Sequence, residues 1–282
     1  GVGTPLKYYL NEGGGYNDVT PIRATTTNGI VFAATDGSST ITATDNDHGA
    51  SINDFVTLAG AASLGGVITA GVLNQEYQVV TVPSDDTFTF VARVADTSIG
   101  SITTTSGLNP TPVVANSSDS GNGGSGADAA YQATVGLDTA LTGNGWNAGP
   151  YGRGKWNSSS NISVDGASLR IWSHDNIGQN LIFNARDAGI YYWSKAGGTT
   201  ARAVALSSLS GANLTPTIAK KVLVSDRDRH IIAFGCDGEL SIGTQDPLLI
   251  RFSSQDLGSG ESLVEWKTEP TNTAGDLRIG SG

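Results

Sequence analysis

The sequence contains no methionine, one cysteine (Cys236) and few charged residues, which make up 15% of its 282 positions. A single cysteine cannot form an internal disulfide framework or a cysteine-based zinc cluster. No apolar run approaches the roughly 18 residues that a spanning helix needs, so we expect no membrane insertion. Glu, Lys, Leu and Ala at helical spacing are also scarce, which argues against a helical bundle.

The lack of methionine has a second implication, because a complete translation product begins with Met. Both ends of the sequence, Gly1-Val2-Gly3 and Gly280-Ser281-Gly282, have a composition typical of the middle of a chain. We therefore expect a processed or trimmed segment of a longer protein.

Charge and tryptophan are distributed unevenly along the chain. Residues 1–140 contain three basic and thirteen acidic residues, whereas residues 141–282 contain thirteen of each and all five tryptophans. This difference predicts at least two domains. We expect the acidic half to repel the phosphates of DNA rather than bind them.

Short apolar runs of strand length, bounded by Gly, Asp, Asn and Ser, dominate the sequence and predict an all-β fold. Residues 1–24 are predicted to be an extended segment that joins a β-propeller body. Residues 25–115 contain about six strand-like runs, which predict a small acidic β-sandwich or barrel domain. Residues 116–130 are rich in Gly, Ser and Asn and are predicted to be a linker.

Residues 131–282 contain two groups of about four strand-like runs, and the last run is Ser262-Leu263-Val264-Glu265-Trp266. Antiparallel four-stranded meanders with an aromatic residue at a strand end are typical of propeller blades. Propellers close with about four to eight blades, so these residues predict a partial, apparently incomplete propeller-like body.

Several short patterns contain the residue types of functional sites. Asp45-Asn46-Asp47-His48 suits a calcium loop, but the sixth and twelfth positions of an EF-hand loop would be Ala50 and Val56 rather than Gly and Glu. Ser173-His174-Asp175 contains triad residue types, but neighbours in a strand point to opposite faces. Cys236 follows an apolar run and is expected to be a buried core residue.

Four carboxylates, Asp226, Asp228, Asp237 and Glu239, lie close together in sequence and suit the paired acids of a glycoside hydrolase. Arg227, Arg229 and His230 are interleaved with them, which favours a solvated ion-pair surface. We therefore predict no catalytic residue, no metal site, no cofactor and no enzymatic activity.

Several segments together resemble a family of tail proteins from short-tailed, podovirus-like bacteriophages, especially marine ones. One of them is Gly189-Ile190-Tyr191-Tyr192-Trp193, and residues 38–92 resemble a small β-domain that recurs in phage structural proteins. The matching segments are 15–23, 169–176, 189–193, 224–226, 229–235, 246–250 and 271–278.

The resemblance implies a tail nozzle or tail-tube subunit in the virion, made in the host cytoplasm. It implies a ring of identical subunits, a hexamer, that contacts adaptor and fibre proteins and lets genome DNA pass without specific binding. Interfaces of this kind use large apolar and aromatic surfaces, which makes Tyr8, Tyr9, Tyr191, Tyr192 and Trp193 the candidate interface residues. The alternative for these aromatics is a place in the core of their own domain.

Two other functions fit parts of the sequence. A host-surface adhesin or glycan-binding tail module would use exposed aromatics on β-loops. A polysaccharide-degrading tailspike fits less well, because the sequence lacks the short regular period of a parallel β-helix.

Overall fold

The computed structural model describes residues 1–4, 7–94, 111–124, 126–133, 171–255 and 261–280. The chain forms two compact units. The first comprises Gly1–Thr134 and Ala196–Val204, and the second comprises Val135–Lys195 and Ala205–Gly282. Antiparallel sheets account for nearly all the regular structure, which confirms the expected all-β fold.

Helical structure is sparse in the described part of the chain. The α-helix α1 (Ala70–Leu73) begins after Thr69, whose side chain accepts a hydrogen bond from the amide of Val72. Short 3₁₀ turns occur at Lys195–Gly197, Leu206–Ser208 and Glu261–Val264. Among the described residues, no helix has the length and apolar character that crossing a membrane requires.

The first unit contains a small sheet and a large one. The small sheet has the order β1-β2-β3, and the large sheet has the order β7-β6-β10-β4-β5-β9-β8. The strands are β1 (Val2–Gly3), β2 (Tyr8–Glu12), β3 (Gly15–Asp18), β4 (Ile22–Ala34), β5 (Thr40–Thr44), β6 (Phe55–Ala59), β7 (Glu76–Gln78), β8 (Thr81–Ser84), β9 (Thr87–Val91) and β10 (Ala127–Gln132).

The thirteen-residue strand β4 lets the large sheet fold over on itself. Its first part pairs with β10, and its last four residues pair with β5. The two halves of the sheet meet through aromatic rings, with Tyr77 of β7 4.2 Å from Phe90 of β9 and Phe88 of β9 5.9 Å from Tyr131 of β10 between ring centroids. The sheet is open at β7 and β8, and it encloses one aromatic core.

The second unit contains two four-stranded antiparallel meanders, the arrangement predicted from the sequence. Their strand orders follow the chain, β11-β12-β13-β14 and β15-β16-β17-β18. The strands are β11 (Trp172–Ile177), β12 (Asn180–Ala185), β13 (Ile190–Trp193), β14 (Val204–Ala205, of which Val204 is counted with the first unit), β15 (Lys221–Ser225), β16 (His230–Phe234), β17 (Leu249–Phe252) and β18 (Gly275–Arg278).

The meanders share a core that contains Ile182, Ile190, Val222 and Ile231. Side chains of β11 also accept hydrogen bonds from backbone amides on the edge of β15 that does not pair with β16. The Val222 amide donates to Ser173 Oγ at 3.0 Å, and the Val224 amide donates to Asp175 Oδ2 at 2.9 Å. Pairing backbone donors in this way avoids the cost of leaving them unsatisfied inside the fold.

Two segments differ from what their composition predicts. Of residues 116–130, the last four belong to β10, which lies between β4 and β6 in the large sheet. The run Ser262–Trp266, predicted as the fourth strand of the second meander, lies instead at the 3₁₀ turn Glu261–Val264, and β18 supplies the fourth strand. The division of the chain into four sequence regions stays a prediction.

Candidate functional site

The five aromatic residues predicted to form an interface have different environments. Tyr8, Tyr191 and Trp193 are buried, whereas Tyr9 and Tyr192 keep partial exposure. Tyr191 packs against Phe183 with ring centroids 5.6 Å apart, and burial raises the pKa of its phenol to about 12. Three of the five rings are therefore core side chains of this chain, and an interface role for Tyr9 and Tyr192 stays a prediction.

A different apolar surface is exposed on the second meander. Cross-strand partners lie on the same face of a sheet, and Leu223 pairs with Ile232, Ile232 with Phe252, and Ile250 with Leu277. The same face carries Phe234, opposite Ile250, and Ile279, whose amide donates to the carbonyl of Leu248. We call this surface the open face; it comprises Leu223, Ile232, Phe234, Leu248, Ile250, Phe252, Leu277 and Ile279.

Exposure separates the two faces of this sheet. On the open face, Leu277 is 62% exposed and Ile279 is 51% exposed. The other face carries Val222, Ile231 and Ala233, all buried in the core of the second unit. Strands with apolar residues at consecutive positions are typical of sheets covered on both faces. In the described part of this chain one face is buried, whereas the open face keeps partial to high exposure.

The four clustered carboxylates do not form one site. Asp226 and Asp228 are exposed in the turn before β16, whereas Asp237 and Glu239 follow the other end of that strand. Five strand residues at about 3.3 Å each separate the two pairs by roughly 15 Å or more. Paired-acid catalysis requires carboxylates about 5–10 Å apart, so the sequence cluster provides no such pair.

The carboxylate of Asp237 holds two backbone segments in place. It is completely buried and accepts hydrogen bonds from the amides of Thr217 (3.0 Å) and Gly243 (2.8 Å) and from the Thr217 hydroxyl (2.6 Å). These bonds fix the segment before β15 and the loop after β16. The carboxylate therefore organises backbone and does not face solvent.

Arg251 is the buried cation of the second unit, with a side chain that is 1% exposed. Its guanidinium donates to the carbonyls of Leu214 (2.8 Å), Trp266 (3.0 Å) and Asp237 (3.1 Å). The carboxylate of Glu239 lies 3.7 Å away. Three carbonyls and one nearby carboxylate compensate for removing this charge from water.

The Ser173-His174-Asp175 pattern and Cys236 also have structural rather than catalytic environments. Ser173 and Asp175 bond to β15, while His174 between them lies on the opposite face of β11, which excludes a triad within this tripeptide. Cys236 is buried as expected, and burial raises the pKa of its thiol to about 11, so the thiol is protonated at neutral pH.

Asp45, the first residue of the pattern compared with a calcium loop, is buried and accepts hydrogen bonds from Tyr131 (2.6 Å) and Thr26 (2.8 Å). Nδ1 of the buried His48 accepts from the Ala50 amide at 2.9 Å. Within the described ranges, no group of three or more His, Cys, Asp or Glu residues is arranged to hold a metal ion.

An ion-pair network ties together three parts of the first unit. Lys7 of the segment before β2 contacts Asp18 (2.9 Å) and Glu76, and Arg202 contacts the same two carboxylates at 2.7 and 3.5 Å. Burial raises the pKa of Asp18, but Lys7, Arg202 and the Thr20 hydroxyl together outweigh that effect and lower it. The network explains why residues 196–204 belong to the first unit.

Asp119 organises the part of the chain that composition predicted to be a linker. Its buried carboxylate accepts hydrogen bonds from the amides of Gly66, Ile68 and Asn116, each at 2.9 Å, and of Val67 at 3.2 Å. Burial raises the pKa of Asp119, but the four amide donors outweigh it and lower the pKa. The segment is thus fastened to the loop before α1.

Comparisons with known proteins give little further information. No family model and no curated protein matches the chain. Among solved structures, the chain is similar to Phage phi92 endosialidase, with 12% sequence identity and a TM-score of 0.24 over 92% of this chain. The match spans 32% of the endosialidase chain. A likeness this weak carries no argument about fold or activity.

Proposed function

We propose that this chain is a structural, non-enzymatic component of a bacteriophage tail that assembles with copies of itself into a ring around the channel for genome DNA. A nozzle or tail-tube subunit is the part that fits best, with a hexameric ring and with adaptor and fibre proteins as further partners. The observation that carries the proposal is the open face of the second meander.

Large apolar patches are rare on isolated soluble proteins and mark interaction surfaces. Burying a Leu or Ile side chain stabilises a contact by about 1.5–3 kcal/mol, and Leu277 and Ile279 are both more than half exposed. The neighbouring face of the same sheet is already buried. A second polypeptide is therefore the natural cover for the open face, and we assign that role to a neighbouring subunit.

The open face is too small to form a stable interface between two subunits by itself. Four strands about 4.8 Å apart and about five residues long give roughly 300 Å². A standard stable interface buries about 800 Å² on each partner. The contact between subunits must then extend further, and Tyr9 and Tyr192 remain predicted contributors.

The surface of the first unit supports passage of DNA without binding. Of its four cations, Lys7, Arg93 and Arg202 are partly or fully buried against carboxylates and carbonyl groups, and Arg23 is exposed and donates to the carbonyl of His48. Carboxylates predominate among the exposed charged groups, which include Glu12, Asp36, Asp47, Asp85 and Asp86. Like-charge repulsion between such a surface and phosphate keeps DNA from adhering.

The resemblance to tail proteins agrees with this role. The described parts of the segments that carry it contribute to β3, β4, β11, β13, β15, β16, β17 and β18. They are packing and turn segments rather than a reactive site.

Native mass spectrometry of the 282-residue chain tests the proposal. The wild-type chain should form a closed ring, and the double variant Leu277→Asp/Ile279→Asp should be monomeric while keeping its circular dichroism spectrum. Ile52→Asp is the matched control, because Ile52 is 59% exposed on the first unit and lies outside the open face. A wild-type chain that is monomeric at every concentration, or absent from purified phage particles, would contradict the proposal.

A further inference from the structure

The strand β18 presents a free edge of the second meander. It is the last strand of that sheet, and it pairs with β17 on one side. Among the residues that the structure describes, no strand pairs with its other side. Asp276, Leu277 and Arg278 are all exposed. An exposed edge of this kind is a template for pairing with a further strand.

The hydrogen bonds between β17 and β18 show which backbone groups point outwards. The Ile279 amide donates to the carbonyl of Leu248 at 2.9 Å, so the backbone groups of Ile279 point towards β17. In an antiparallel pair this direction alternates from one residue to the next. Leu277 therefore also points towards β17, and the N–H and C=O groups of Asp276 and Arg278 point to the free edge.

Asp276 and Arg278 carry opposite charges two positions apart, so their side chains lie on the same face of β18. When a second copy of β18 lies antiparallel with its Leu277 opposite Leu277, Asp276 of each copy lies opposite Arg278 of the other. Both members of this pair have outward backbone groups, as a hydrogen-bonded pair of an antiparallel ladder requires. A two-fold axis between the opposed leucines relates the two such pairs.

Charge selects this register over the neighbouring ones. The backbone pattern also permits Asp276 opposite Asp276, or Arg278 opposite Arg278, but like charges directly across two strands are destabilising. The register centred on Leu277 replaces both repulsions by attraction. Charged residues on edge strands often serve to prevent pairing. Opposite charges at this spacing instead favour pairing with a second copy.

The side chain of Arg278 is held in place for such a contact. Its Nε donates to Oδ2 of Asp246 at 3.1 Å, and the side chain is 68% exposed. A guanidinium has five N–H donors, and four of them are on the two Nη atoms. A carboxylate of a second copy can bind there without breaking the bond to Asp246. Fixing one end of the side chain also reduces the entropy lost on association.

Several other sheet edges of the chain are less suited to pairing. The edge strand β8 contains Pro83, which has no N–H to donate. On β15, the edge away from β16 already donates to the side chains of Ser173 and Asp175. The edge strands β1 and β14 are two residues long. β18 is longer than these two and has two residues with outward backbone groups.

We propose that two copies of this chain pair antiparallel through β18, with Asp276 of each copy on Arg278 of the other and the two Leu277 side chains in contact. The pairing joins two meanders into one eight-stranded sheet and two open faces into one apolar surface of roughly 600 Å². The contact goes beyond the proposed ring and does not depend on it. A two-fold contact joins two copies, whereas a ring is built from head-to-tail contacts.

Disulfide trapping on the full chain tests the contact. In the proposed register the opposed Leu277 residues form a closely spaced pair with Cα atoms about 4.5 Å apart, a separation that a disulfide can span. Leu277→Cys should therefore form a covalent dimer under mild oxidation, seen by non-reducing electrophoresis. The wild type, whose Cys236 is buried, should not. Ile232→Cys, on the same face but two strands from the axis, should not either.

Charge reversal in the Leu277→Cys chain tests the register. Asp276→Arg and Arg278→Asp should each slow dimer trapping at least about tenfold, relative to reaction of the same thiol with a small reagent, because like charges then oppose each other twice. Asp276→Arg/Arg278→Asp restores opposite charges and should recover part of the rate, since the bond to Asp246 is still lost. Asp226→Arg, an exposed site outside β18, is the control and should trap like its parent.

Three results would overturn the assignment: no covalent dimer from Leu277→Cys, an equal yield from Ile232→Cys, or a double charge variant that traps no faster than either single variant. Rings without the Leu277 dimer would support the ring and contradict this contact. Dimers that never close into a ring would do the reverse. The two proposals are thus tested separately.

Discussion

The two units bury the apolar side chains of their strands in different ways. In the first unit the large sheet folds over, and side chains from both halves fill one aromatic core. In the second unit two meanders share a core, but the outer face of one of them carries exposed leucine and isoleucine. This difference is the reason that we propose the second unit, rather than the first, as the one that a neighbouring subunit covers.

Charge follows the same division. Counted over the sequence of each unit, the first has twelve acidic and four basic residues, and the second has fourteen and twelve. All five tryptophans belong to the second unit. Tryptophan fluorescence therefore reports the unfolding of the second unit alone, while far-ultraviolet circular dichroism reports both, and the predictions below use this contrast.

The largest expected effect contrasts two neighbours on β16. Ile231 is completely buried, whereas Ile232 lies half-buried on the open face. Ile231→Ala should lower the free energy of unfolding by about 3–4 kcal/mol, and Ile232→Ala by about 1 kcal/mol, in urea titrations followed by tryptophan fluorescence. Equal losses in the monomeric protein would mean that the open face is covered within the chain.

The next effect compares two buried carboxylates that hold backbone amides, one in each unit. Asp119→Ala and Asp237→Ala should each lower the free energy of unfolding by about 2–3 kcal/mol, because each leaves several amide donors without an acceptor. Asp237→Ala should shift the fluorescence transition, and Asp119→Ala only the transition seen by circular dichroism. Exposed Asp36→Ala and Asp226→Ala serve as controls, with changes within about 0.5 kcal/mol. If Asp119→Ala moves the fluorescence midpoint as well, the two units do not unfold separately.

A smaller effect is expected at the ion-pair network of the first unit. Arg202 is 29% exposed at its side chain and contacts both Asp18 and Glu76. Solvent screening weakens such an ion pair. Arg202→Gln should therefore lower the free energy of unfolding, measured from the dichroism transition, by about 1–2 kcal/mol. Lys195→Gln, a change at an exposed cation of the second unit, is the comparison. A neutral result at Arg202 would remove the network as the reason that residues 196–204 pack with the first unit.

The smallest effect is expected in mild acid. The pKa values of Asp18 and Asp119 are lowered from 3.8 in the folded first unit. Their stabilisation is therefore complete above about pH 5 and is lost as the pH falls through the folded-state values. Urea midpoints of the dichroism transition should decline slightly from pH 5 to pH 4 and more steeply below. Asp119→Asn should flatten that decline, and a wild-type profile that stays flat down to pH 3 would contradict the pKa shifts.

The strands were predictable where apolar residues and turn residues alternate clearly. The runs around Tyr191 and Ile231 became β13 and β16, since each is short, apolar and bounded by Gly or Asp. The run Ser262–Trp266 was wrong as a strand. Its residues look extended in composition, but Trp266 Nε1 donates to the carbonyl of Leu263 at 3.0 Å and closes a local turn around a completely buried ring.

The sites were harder to predict, because composition carries no information about long-range partners. Asp119 lies in a Ser, Asn and Gly tract, and only the fold brings it to Gly66 and Ile68. The predicted aromatic interface was chosen by residue type, and Tyr8, Tyr191 and Trp193 are buried. A usable signal was present in β16 and β17, where apolar residues at consecutive positions indicate two covered faces.

The late position of Arg202 in the sequence affects when the contacts of the first unit can form during synthesis. The first unit needs residues 196–204, which follow its main segment, Gly1–Thr134, by about sixty residues of the second unit. At a synthesis rate of about 5–20 residues per second, roughly 3–12 seconds pass between the two segments. Of the two cations that contact Asp18 and Glu76 among the described residues, only Lys7 has been synthesised during that interval. The ion-pair network of the first unit can therefore be completed only after about sixty residues of the second unit have been synthesised.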